Sequence, residues 1–164
     1  MFKQLLEQFL FVEITTVQIY LLCFLLGSFT VATLSDLKYL SAQKEFLEIW
    51  VLFILAMLIV DVYNYYHLGQ NIIYLLVKWS LIVILLPVYF HWIRRIAWGD
   101  VFAKMAACSL FSPLFILAFM IIIRLIDATT RKLWQKWGRG RFYPFMPVIF
   151  LTTIFLLFVA LFVL

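Results

Sequence analysis

Residues 101–126 read VFAKMAACSLFSPLFILAFMIIIRLI, and whether they form one helix or two decides the fold. One apolar helix of that length would cross a bilayer once, since roughly 20 residues suffice. Ser112-Pro113 sits in the middle, however, and a proline inside a helix removes a hydrogen bond and clashes with the preceding turn. Charge chooses between the two. The segment RKLWQKWGRGR (Arg131–Arg141) is the most basic loop, and His91–Arg95 (HWIRR) is the next. Basic loops favour the cytoplasmic side. A single span would put these loops on opposite sides, whereas a hairpin turning at Ser112-Pro113 keeps both inside. The hairpin is therefore predicted. Its arms are short, so the first is tilted, partly re-entrant or extended backward through Ile93–Trp98.

Outward from this region the chain is more apolar still. It has 164 residues, of which 67% are hydrophobic and 13% charged, with a mean hydropathy of +1.10. A soluble domain is nearer half apolar and a quarter charged, so lipid must solvate much of the surface. Four further apolar stretches cover Ile14–Leu34, Phe46–Val60, Ile72–Phe90 and Phe142–Leu164. The N-terminus reads as mature sequence, because Glu7, Glu13 and the long apolar run do not fit a signal peptide. Residues 1–164 are thus predicted to be one membrane-embedded domain. Its class is all-α, a polytopic membrane bundle of about six transmembrane helices, one short or re-entrant. Both termini lie outside. The lysine-free loop DVYNYYHLGQN (61–71) also falls outside, and the loop Ser35–Glu45 falls inside. The net charge of +5 then reports topology and lipid headgroups rather than nucleic acid. Cys23 and Cys108 lie in apolar runs and support neither a zinc ribbon nor a disulfide framework.

A carboxylate at the mouth of a membrane helix is costly if it enters hydrocarbon, and Asp100 stands there, just after IRRIAWG. On the hairpin topology Asp36, in TVATLSDLKYL, ends the first helix at the same depth and on the same side. Two close carboxylates share one proton and titrate as a unit. Such a pair can hydrolyse a peptide bond without metal or cofactor: one carboxylate takes a proton from water while the protonated partner supports the oxyanion. Helix dipoles, which favour negative charge at an N-terminus, point to Asp100 as base and Asp36 as acid. Taken singly, Asp100 would serve as an N-cap, and Asp36 as an interfacial residue beside Lys38.

The surroundings of both aspartates resemble the prepilin peptidases, a GxGD class of membrane aspartyl protease, in the short form that includes the archaeal preflagellin peptidases. Ser35-Asp36-Leu37-Lys38-Tyr39 resembles the first aspartate motif. Ala97-Trp98-Gly99-Asp100 resembles GxGD, with Ala97 in place of the first glycine and Lys104 four residues on rather than two. Arg141-Phe142-Tyr143-Pro144-Phe145-Met146-Pro147 resembles the opening of the last helix. The Pro-Asn that usually follows the first aspartate is absent. The resemblance implies an aspartic endopeptidase in the cell (inner) membrane, with its active site at the cytoplasmic face. Its substrate and partner would be a prepilin-like single-helix membrane protein with a basic leader. Asp36 and Asp100 would be catalytic, and Lys38, Ala97, Trp98, Gly99 and Pro144 would support the motifs. One feature opposes this: the basic segment 131–141 repels a basic leader unless anionic lipid screens it.

Other residues invite plainer readings. Lys78 is expected to snorkel or to pair with Glu13 or Asp61. Asp61 and His67 are read as solvated residues of the outer loop, with no third metal ligand at useful spacing. Arg124 and Asp127 share a helical face and are expected to pair. Ser109 and Ser112 have no base nearby. Two other functions compete: a small ion-coupled transporter using Asp36, Asp100 and Lys78, and a non-catalytic scaffold.

Overall fold

The computed structural model describes residues 16–39, 44–69, 71–136 and 144–162, and all the regular structure among them is helical. The six helices are α1 (Thr16–Tyr39), α2 (Lys44–Leu68), α3 (Ile72–Ile93), α4 (Trp98–Ser109), α5 (Pro113–Gln135) and α6 (Met146–Phe162). Four of them, α1, α2, α3 and α5, are long and apolar enough to cross a membrane. Side chains such as Tyr20, Leu52, Ile59, Ile84 and Ile121 project from them largely exposed, as a lipid-facing surface requires. The chain is a multi-pass membrane protein with an all-α bundle.

Residues 101–126 form the hairpin. α4 stops at Ser109, the Leu110 and Phe111 N–H groups close a tight last turn on Ala107 and Cys108, and Pro113 opens α5. Proline is well placed there, because the first helical N–H has no partner to lose. At 12 residues, α4 is about 18 Å long, short of a hydrocarbon core of about 30 Å. It enters the bundle and turns back. It does not extend backward through Ile93–Trp98, because the chain leaves helical geometry between Arg94 and Ala97.

α4 is the axis of the molecule. Val101 and every residue from Ala103 to Ser109 are buried. Its small side chains, Ala103, Ala106, Ala107, Cys108 and Ser109, let neighbouring backbones approach, which drives helix packing where lipid removes the hydrophobic incentive. Its chief partner is α2, with α3, α5 and α6 around it. α6 packs on α5 and α1. α1 is tied to α2 by the Trp50 indole, which donates to Ser28 Oγ at 3.3 Å and meets Phe29 edge-on.

α3 widens in its second half. The Leu86 N–H bonds the Leu81 carbonyl and Arg94 bonds Tyr89, five residues back rather than four. Pro87 lies between these turns. Its ring would strike the carbonyl four residues earlier, and a wide turn relieves that clash.

Several segments differ from the sequence reading: of the predicted inner loop Ser35–Glu45, Ser35–Tyr39 belong to α1 and Lys44 and Glu45 to α2. α2 continues to Leu68 instead of ending near Val60, so Asp61 is no loop residue: it is buried inside the helix. The helix tolerates a carboxylate there because α3 supplies a cation. Likewise Arg131–Gln135 belong to α5, not to a loop.

Candidate functional site

Asp36 lies in the final turns of α1, with its side chain buried. Its Oδ2 accepts the Met146 backbone N–H at 3.0 Å, and the Phe145 N–H also donates to it. A carboxylate from the first helix thus caps the last. The first N–H groups of a helix lack internal partners and carry partial positive charge, so this is a favourable place for an anion. The proline-rich opening of α6 builds the cradle. Pro144 is buried before it, and Pro147 has no N–H to leave unpaired.

Asp100 is the third residue of α4. It is not the N-cap: Ala97 holds that position and the Val101 N–H bonds its carbonyl at 3.2 Å. Asp100 lies on the wall of an open cavity of about 880 Å³, together with Phe90, Arg94, Arg124, Asp127 and Phe145. Burial pushes its carboxyl up to about 6, Lys104 pulls it back, and the charge of Asp36 adds to the rise. Asp36 thus lies near enough to Asp100 for its charge to act on it.

Lys104 completes the group. It is fully buried, and its Nζ has no hydrogen-bond partner among the described residues. The ammonium is held between two aromatic faces, 4.4 Å from the Phe90 centroid and 4.5 Å from that of Phe145. Cation–π attraction substitutes in part for the lost water. Phe145 thus touches Lys104, lines the cavity and donates its N–H to Asp36. The sequence showed only that this lysine stands four residues after Asp100. One helical turn places it on the same face.

Of the residues the resemblance implies as motif-supporting, Ala97, Trp98 and Gly99 lie at the turn into α4, while Lys38 ends α1 and Pro144 precedes α6. Trp98 and Ala97 are exposed, Gly99 is half-buried, and Lys38 is exposed in the last turn of α1. Arg95 takes a left-handed backbone, φ 55°, which a non-glycine residue adopts at a cost. His91 holds this turn. Its Nδ1 hydrogen-bonds the Ile96 carbonyl at 3.0 Å, and its ring stacks on Trp98 at 3.9 Å.

Other expectations resolve as follows. Arg124 and Asp127 do not pair with each other. Asp127 bonds Arg131 at 2.5 Å, one turn on, while Arg124 donates to the Tyr89 hydroxyl and lies over its ring. Lys78 pairs with Asp61 at 2.7 Å, and the Trp79 indole donates to the same carboxylate at 3.0 Å. Glu13 and the Arg141–Tyr143 part of the third motif lie outside the described residues. Among the described residues no three acidic, histidine or cysteine side chains cluster as a metal site. Compared with family models, with curated proteins and with solved structures, the chain finds no match.

Proposed function

We propose that the protein is a membrane aspartyl endopeptidase that cleaves the leader of prepilin-like substrates at the cytoplasmic face of the cell membrane. The observation that carries this reading is that Asp100 lines an open cavity while Asp36, from a separate helix, lies near enough for its charge to act on Asp100. A short helix that enters the bundle and turns back is a costly way to fill space. Here it delivers a carboxylate to the cavity wall.

The chemistry follows from the two environments. Asp36, which accepts the Met146 N–H at the positive end of α6, is assigned the negative charge on that geometry. Asp100, raised to about 6, is the better home for the shared proton. This reverses the roles that the ends of α1 and α4 suggest alone, because α6 also aims its N-terminus at Asp36. Asp36 removes a proton from water, the resulting hydroxide adds to the scissile carbonyl, and Asp100 gives its proton to the carbonyl oxygen. Collapse of the gem-diol expels the amine, which takes up a proton, and the pair is left sharing one as before. A substrate whose apolar helix packs in lipid beside the bundle would present its leader junction at this depth.

The transporter reading needs Lys78 on one path with the two aspartates. Lys78 is instead neutralised by Asp61 and does not line the cavity that Asp100 lines. The experiment that tests the proposal is co-expression with a prepilin-like substrate, scoring leader loss. Wild type should cleave, and Asp36→Asn and Asp100→Asn should not. Cleavage that survives both changes removes the mechanism.

A further inference from the structure

The cavity beside Asp100 carries more positive charge than a carboxylate pair needs. Arg94, Arg95, Arg124 and Arg131 line it, against Asp100 and Asp127. Asp127 is bonded to Arg131, and Arg124 is held by Tyr89. Arg94 and Arg95 are exposed and have no hydrogen-bonded or ion-paired side-chain partner among the described residues. They are not there by default. The turn that carries them has a left-handed Arg95 and is fixed by His91 through a hydrogen bond and a ring stack. Strain retained under such constraint points to function.

The rim identifies the ligand. Trp92 is 75% exposed, Ile93 65% and Trp98 44%, immediately around the two arginines. Exposed tryptophans beside arginines mark the headgroup level of a bilayer. Behind the arginines the wall turns apolar, with Phe90, Ile96, Ile123 and Phe145. A guanidinium fork matches a phosphate oxygen pair, so the ligand has an anionic phosphate head and an apolar body.

We infer that this cavity is a binding site for an anionic phospholipid, its headgroup phosphate held by Arg94 and Arg95 and its chains laid along the α3–α5 wall. The site shares its cavity with Asp100, but the inference does not rest on the peptidase reading, since lipid binding requires no turnover. A lipid there would also offset the positive field that a basic polypeptide meets at this end of the molecule.

The test uses the full chain, purified in neutral detergent and exchanged into mixed phosphatidylcholine–phosphatidylglycerol nanodiscs. Co-purified lipid is measured by mass spectrometry. Wild type should enrich phosphatidylglycerol over the bulk ratio. The pair Arg94→Gln/Arg95→Gln should reduce that enrichment about tenfold. Arg95→Gly removes the charge while easing the left-handed turn, so it should fold and still lose binding. Lys132→Gln, on exposed α5 surface away from the cavity lining, should leave enrichment unchanged. Equal retention of both lipids by wild type overturns the proposal. So does loss of equal size in Lys132→Gln, which would make the effect one of net charge. Displacement of the lipid by millimolar inorganic phosphate or glycerol phosphate would assign the site to a soluble anion and overturn it as well.

Discussion

Among the described residues, two buried charged clusters can be compared, and they are built differently. Where α2 meets α3, Lys78 and Asp61 satisfy each other at 2.7 Å, with the Trp79 indole as a third partner. At the far end of α3, Lys104 lies between two phenylalanine rings without a hydrogen bond among the described residues, and Asp100 fronts a cavity. The first cluster is closed and joins two helices. The second is left incomplete, at a cost in stability, where a reacting molecule could complete it. Incomplete polar clusters of this kind concentrate at functional sites.

The largest expected effect tests the open cluster. Asp36→Asn and Asp100→Asn should each lower leader cleavage by about a thousandfold, with helicity and elution volume unchanged. Retained cleavage would reduce the open cluster to an unsatisfied core defect. The next tests the closed one. Lys78→Met or Asp61→Leu alone strands a buried charge and should destabilise by about 3 kcal/mol, while the double change should recover most of it. Denaturation in mixed micelles would show this. A double variant no better than the singles would mean the pair is not the unit described.

Lys104→Met sharpens the contrast. Removing an ammonium that lacks a hydrogen-bond partner should cost little stability or add some, unlike Lys78→Met. Its effect should appear in catalysis. Lys104 pulls the Asp100 carboxyl down, so without it Asp100 keeps its proton to higher pH. If Asp100 is the acid, the descending limb of the pH–rate profile moves alkaline by about one unit. An unmoved limb would separate Lys104 from the reaction.

The smallest effect is on stability against pH. Asp100 takes up its proton near 6 in the folded protein, against an ordinary value of 3.8. Between those values the native state holds the extra proton, so stability falls as pH rises through that window and then levels off. Asp100→Asn should flatten this slope and raise the melting temperature at neutral pH by a few degrees. A variant with an unchanged slope would show that Asp100 is better solvated than its position indicates.

Much of this was legible beforehand, and the exceptions share a cause. The hairpin could be read because Ser112-Pro113 and the two basic segments act locally: a proline cannot continue a ladder, and charge sorts loops. The length of α2 was misread because Asp61 looks like a helix end until Lys78 is seen beside it. The Arg124–Asp127 pairing failed for a similar reason, since Tyr89 and Arg131 competed for the two partners. In the sequence His91 only opens a basic loop; its hold on the Arg95 turn depends on a backbone carbonyl that no spacing rule announces.

By itself the sequence determined the solvent, the helical class, the turn at Pro113 and the pairing of two acidic positions with one end of the bundle. Those follow from transfer energies and backbone covalent limits, which each residue carries wherever it goes. Only the tertiary structure decided which charges are neutralised, that Asp36 caps α6, and that Lys104 sits between aromatic rings. Partnership among buried polar groups is a matter of a few ångströms between distant segments, and no single segment encodes it.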